Sequence, residues 1–150
     1  MSDAGTRITT LVVHHSAAWK RVAGVLVLPS VEEIEAAHLG KGWRTVGYHV
    51  VLDRAGRAHH FRKLGEKPAA QRGRNTGTFA VCLLSWCGPT SPDPLFEATP
   101  QQITALRGLV ASIQALDPTV EIRGHRELAL ARYPTECPGF DAGVLFPRRA

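Results

Sequence analysis

The sequence predicts an α/β fold, a central mixed β-sheet flanked by α-helices. Three observations carry this reading. Two runs, ITTLVVHHS (8–16) and TFAVCLLSW (78–86), are apolar and rich in β-branched residues, the pattern of buried strands. Two helix starts carry capping boxes, Ser30 with Glu33 and Thr99 with Gln102. Strands and helices follow one another without regular βαβ alternation, which favours a mixed sheet with helices packed on its faces.

The elements follow in order. Residues 8–16 form the first strand, and 17–29 are a connection ending at Pro29. The helix 31–39 follows the Ser30 cap with Ile34 and Ala37 inward, and Gly40 and Gly42 stop it. Residues 47–53 (GYHVVLD) form a second strand. The turn Arg54-Ala55-Gly56 leads to a third near 57–62, so the two make a hairpin. A long basic loop, 63–77, precedes strand 78–86, and Gly88 to Pro94 is turn-rich. Thr99 caps the next helix and Pro100 suits its first position. Ile103, Leu106, Leu109, Val110, Ile113 and Leu116 then recur at helical spacing as a core stripe. Asp117-Pro118 ends that helix, Val120 to Arg123 is a short strand, and 126–150 is mostly loop.

The chain has 150 residues, which suits a single domain over 1–150. A hydrophobic content of 44% excludes a disordered or collagen-like chain. No apolar run approaches the roughly 18 residues of a membrane span. The first residues, MSDAGTRITTLVVHH, lack the basic-then-apolar order of a signal peptide. The expectation is cytoplasmic synthesis, no membrane partner and, with no sustained heptad, a monomer. The formal charge of +5 is local: segment 54–74 holds Arg54, Arg57, Arg62, Lys63, Lys67, Arg72 and Arg74 against Glu66 alone. That strip reads either as a solvated loop or as a docking strip for an anionic partner. Nucleic acid is not expected, because no zinc finger, helix-turn-helix or aromatic platform accompanies it. Three cysteines, Cys82, Cys87 and Cys137, are too few and too odd in number for a disulfide framework, so reduced thiols are expected.

Three polar residues stand at element ends rather than on faces. His14 ends the first strand, His125 follows the short strand VEIRG, and Cys137 precedes Pro138 in the loop beyond. Two imidazoles and one thiolate suit zinc, and three protein ligands leave the fourth position of a catalytic site open. The competing reading is an ordinary core histidine and a buried free thiol.

The surrounding words occur in one order: VVHHSA (12–17), GWRTVGYHVVLDRAGR (42–57), GRNTGTFAVCLL (73–84), TPQQ (99–102) and RGHREL…CPGFD (123–141). Together they resemble the zinc-dependent N-acetylmuramoyl-L-alanine amidases of the amidase-2 type, which include phage lysozyme-like endolysins and peptidoglycan recognition proteins. The resemblance covers residues 8–141 and implies the fold of those proteins. It implies zinc as cofactor and peptidoglycan or muropeptide as substrate, cut between N-acetylmuramic acid and L-alanine. The first His of the HH pair matches a zinc ligand, which selects His14 over His15, and strand alternation agrees that one of the two faces the metal. His125 of GHRE and Cys137 of CPGFD match the other ligands. Tyr48 of GYH matches the site tyrosine, and Thr135 stands where active members carry Lys or Thr. The resemblance also places the loop from Arg62 to Arg74, with Asn75 of the GxN motif, beside the substrate groove. Arg62, Arg72, Arg74 and Asn75 are therefore the substrate-binding candidates.

The departures are as informative as the matches. Cys82 stands where some relatives carry a general-base Glu, and Ala70 stands where many carry His. The segment LALARYPTE (128–136) is longer than in compact phage enzymes and supplies Arg132 and Tyr133 to one wall. His49 faces away from Tyr48 and reads as structural, and His59 and His60 read as surface residues of the basic strip. Two alternatives share the fold: a non-catalytic protein that binds peptidoglycan or inhibits a partner, and a cytoplasmic muropeptide-recycling amidase. Non-catalytic relatives commonly lose the Cys, so an intact His14, His125 and Cys137 favours the enzyme.

Overall fold

The computed structural model describes residues 5–147. A five-stranded sheet runs in the order β5 (Ala58–His60), β4 (Val50–Leu52), β6 (Thr78–Leu83), β1 (Thr10–His15), β7 (Glu121–Gly124). β1 pairs in parallel with β6 and β7, β6 pairs in parallel with β4, and β5 is antiparallel to β4. This is the mixed sheet that the sequence predicts. β1 and β6 hold its centre, and burial on both faces explains why each reads as an unbroken apolar run.

Helix α2 (Pro100–Leu116) covers one face. Leu106, Val110 and Ile113 pack there on Leu11, Val13, Val50, Leu52, Phe79, Val81 and Leu83. Leu116 does not join the stripe. It is 73% exposed, as the last residue of the helix. Helix α1 (Val31–Gly40) covers the other face, where Val31 and Ile34 meet Val46, Val51, Cys82 and Leu84. The predicted inward Ala37 is exposed, and His38 takes the inner position four residues after Ile34. Its Nδ1 accepts from the Gly47 N–H, and its ring packs on Trp43 and Tyr48.

Two further corrections have local causes. Residues 17–29 are not a bare connection. They contain a hairpin, β2 (Lys20–Val22) and β3 (Val25–Val27), turned by Ala23 and Gly24, both at positive φ. A two-residue turn of that kind is normally announced by Asn-Gly or Gly-Gly, which this sequence lacks. The second strand starts at Val50 rather than at 47, because its alternation breaks. His49 stacks on Phe79 on the α2 face, and its neighbour Val50 also joins the α2 core. From residue 126 to 147 the chain is mostly loop, as the sequence predicts, with two four-residue helices, α3 (His125–Leu128) and α4 (Ala142–Leu145). All three cysteines are free, as expected. No helix among the described residues is long and apolar enough to cross a membrane.

One polar knot ties the sheet to α2. Gln102 is wholly buried, and its Nε2 donates to the carbonyls of Leu52 and Leu84 at the ends of β4 and β6. Its Oε1 accepts from the Thr99 N–H, completing the predicted capping box. Arg54 reaches into the same knot and donates to Gln102 and to the carbonyls of Leu84, Leu95 and Glu97. Arg54 therefore belongs to the frame and not to a docking strip. Gln102→Ala removes four hydrogen bonds, takes the acceptor from the Thr99 N–H and leaves a cavity at a wholly buried position, and should destabilise the protein by about 2–4 kcal/mol. Urea denaturation measures this, and a loss under about 1 kcal/mol would contradict the assignment.

Candidate metal centre

The parallel register brings the first two candidates together. Val13 lies opposite Gly124, so His14 and His125 leave β1 and β7 side by side, with ring centroids 4.7 Å apart. Cys137 arrives from the loop after α3. The Arg126 N–H donates to the Cys137 carbonyl at 2.7 Å, and Pro138 packs against Gly124. A Cβ on Gly124 would lie 2.7 Å from the Pro138 Cδ, so the Gly of GHRE and the Pro of CPGFD are two halves of one contact. Glu127 fixes the turn by accepting from the Gly124 N–H while also pairing with Arg123.

The ligand atoms of His14, His125 and Cys137 all lie within 4.8 Å of one another. His14 Nδ1 is 3.6 Å from Cys137 Sγ. Tetrahedral zinc, with N and S ligands at about 2.0–2.3 Å, sets ligand atoms roughly 3.3–3.8 Å apart, so the donor set fits such an ion. The neighbouring His15 is not part of it. Its Nδ1 accepts from the Cys87 N–H, and its own backbone N–H donates to Cys137 Sγ at 3.3 Å. The other nitrogen of His14, Nε2, is 2.7 Å from Gln71 Oε1.

The fold, the cluster and the sequence agree with known proteins. The family model described as N-acetylmuramoyl-L-alanine amidase matches residues 4–140. The chain belongs to that family. It is an amidase of this class, with the central mixed sheet of the structures it resembles. The endolysin of Enterobacteria phage K11 is 32% identical over 111 residues, covering 74% of this chain and 70% of that protein. Among solved structures, the Ph2119 endolysin from a Thermus scotoductus bacteriophage superposes with a TM-score of 0.70 at 24% identity, over 94% of this chain and 84% of that one. The peptidoglycan recognition protein SA of Apis mellifera superposes with 0.71 at 15% identity, over 98% and 92%.

Tyr48 lies against the cluster, its ring 5.1 Å from that of His14. Burial first, then the neighbouring Cys82 and Cys137 thiols, push its phenol well above the ordinary range, so the hydroxyl keeps its proton. Burial likewise raises the Cys82 thiol, which stays neutral behind Tyr48. Thr135 accepts the Cys137 N–H at 3.1 Å, and both line an open depression with His15, Trp86 and Pro134. The remaining candidates sit in the loop above. Arg62 donates to the carbonyls of Val46 and Lys67, and Asn75 Oδ1 accepts from the N–H groups of Ala70 and Gln71. Arg72 lies 4.2 Å over the Tyr133 ring, so the long 128–136 segment is clasped to the basic loop. Neither Arg72 nor Arg74 enters an ion pair among the described residues. His49 is structural, bonded to the Ala80 N–H and the Glu66 carbonyl. His59 is paired with Asp53 at 2.9 Å rather than left free on the surface. Sequence reasoning missed Gln71 and Glu127, and the Glu127 contact was signalled by its spacing three residues after Gly124.

Burial and the adjacent His125 lower the His14 pKa to about 3, and burial lowers that of His15 to about 4. Both imidazoles are neutral in the fold but take up protons in the unfolded chain below about 6.5. The unfolded state therefore binds more protons in this window, and stability falls as pH falls. Urea midpoints of the metal-free protein should decline between about pH 6.5 and 5, and less steeply in His14→Gln. Equal slopes for the two proteins would contradict this.

Proposed function

We propose that this chain is a zinc-dependent amidase that hydrolyses the bond between N-acetylmuramic acid and L-alanine in peptidoglycan, working as a phage-type endolysin. The observation that carries the proposal is the convergence of His14, His125 and Cys137, with donor atoms within 4.8 Å, inside a family member's fold. The name of the K11 relative supports the endolysin reading. The same reading takes peptidoglycan or its fragments as the only partner class, with no nucleic acid or membrane involved. It makes the protein a monomer synthesised in the cytoplasm that meets the wall after release.

A zinc ion bound by these residues would supply Lewis acidity at the scissile carbonyl and acidify a water molecule. The rest of the chemistry belongs to the chain. Burial raises the Cys137 thiol to about 12, so the thiol is protonated until a cation takes the proton's place. The His15 N–H then donates to the sulfur and steadies its charge. Tyr48, held neutral, donates a hydrogen bond to the carbonyl oxygen as negative charge builds on it. Thr135 has spent its oxygen on the Cys137 N–H and keeps its own proton to donate toward the same region. Cys82 is neutral and too deeply buried to act as a base. Arg72 and Arg74 receive the carboxylates of the stem peptide. Arg62 and Asn75 hold the loop that presents them and face the same groove.

Metal analysis and release of peptides with free L-alanine amino ends from purified peptidoglycan test the proposal. Wild type should hold one zinc and lose activity on chelation. Cys137→Ser should lose both zinc and hydrolysis. Tyr48→Phe should keep zinc while kcat falls about 10²–10³-fold. Arg72→Ala with Arg74→Ala should raise KM with kcat unchanged. Full zinc loading without hydrolysis would favour a binding protein on this fold.

A further inference from the structure

We propose that Gln71 is a positioning residue that fixes His14 in the tautomer whose Nδ1 lone pair faces Cys137. The inference rests on the metal reading above for the identity of the ion, but the tautomer follows from the hydrogen bonds alone. Gln71 sits in the loop before β6 and is 1% exposed. Its Nε2 lies 3.3 Å from the Arg74 carbonyl and 2.9 Å from Thr78 Oγ1. A carbonyl can only accept. The Thr78 hydroxyl has already given its hydrogen to the Asn75 carbonyl at 2.8 Å, so it too accepts from Gln71. Both partners demand the NH₂ end of the amide, and the oxygen is left facing His14 Nε2 at 2.7 Å. That oxygen only accepts, so Nε2 carries the proton. A neutral imidazole protonated at Nε2 has its lone pair at Nδ1. Nδ1 is the nitrogen 3.6 Å from Cys137 Sγ.

The loop that presents Gln71 is held from three sides. Asn75 Oδ1 accepts from the backbone N–H groups of Ala70 at 3.0 Å and of Gln71 at 2.8 Å. Arg72 is stacked on Tyr133. Gly73, at positive φ, lies against Leu130, whose Cδ1 would be 2.5 Å from an added Cβ. The segment 128–136 thus backs the loop that orients a metal ligand. A chain of donors runs from His14 through Gln71 and Thr78 to the Asn75 carbonyl, and each hydrogen in it has one place to go.

Outer contacts of this kind typically change metal affinity about 10–100-fold. The test reads tautomer and zinc affinity separately. Long-range ¹H–¹⁵N spectra of the metal-free wild type near neutral pH should show His14 protonated at Nε2. Protonation at Nδ1 overturns the proposal. Competition titration with Zn²⁺ alone and a fluorescent chelator should show Gln71→Met, similar in shape but without the acceptor, binding about 10–100-fold more weakly. Gln71→Glu, which keeps an acceptor oxygen, should recover most of that loss. Equal zinc affinity for wild type and Gln71→Met, or equal loss in Met and Glu alongside equal loss of melting temperature, assigns Gln71 to loop packing and overturns the proposal. If Gln71→Met does not fold, the wild-type tautomer decides. If wild type takes up no zinc, the metal reading fails on its own, and the tautomer still decides the role of Gln71.

Discussion

Val13 lies opposite Gly124 in the parallel ladder between β1 and β7, and the next residue on each strand is a histidine. The depth and spacing of the whole site follow from that register. A slip of one residue would turn His14 to the α2 side and bring Val13 to the face of His125 and Cys137. The register is well defended. β1 is paired along its full length with β6 and over four residues with β7, and Leu11 and Val13 sit in the core on the face opposite His14. The Gly124–Pro138 contact then sets the height of Cys137, because Pro138 can seat itself only where no Cβ stands.

Electrostatics separates the roles of the buried polar groups. The site gathers two imidazoles, two thiols and a phenol in surroundings that disfavour charge on any of them. His14 is held near 3 and Cys137 near 12, while Tyr48 and Cys82 are pushed above their ordinary ranges. A cluster that is neutral and compact without a cation is well suited to receive one, since the ion replaces a thiol proton and meets two lone pairs. The charges that remain are outside. Of the seven basic residues between 54 and 74, Arg54 is absorbed into the α2 knot and Arg57 pairs with Asp53. Arg72 and Arg74 lie in the loop whose Gln71 meets His14.

The His14, His125 and Cys137 cluster was legible in the sequence because these residues stand at element ends inside recognisable words. Strand β1, strand β6 and helix α2 were legible because unbroken apolar runs and capping boxes are strong local signals. The missing parts were those decided at a distance. The Ala23-Gly24 turn carries no strong hairpin dipeptide, so β2 and β3 went unseen. His38 displaces Ala37 from the inner face of α1 because Gly47, Trp43 and Tyr48 supply partners that helical periodicity does not record. Gln71 lies in a loop between Ala70 and Arg72, and nothing in its neighbours announces that it meets a residue 57 positions away.

The central claim is that His14, His125 and Cys137 hold one zinc ion. X-ray absorption at the zinc edge of the purified protein tests it most directly. The account predicts two imidazole nitrogens at about 2.0–2.1 Å, one sulfur at about 2.3 Å and one further light ligand. A shell without sulfur, or with more than one, would contradict it.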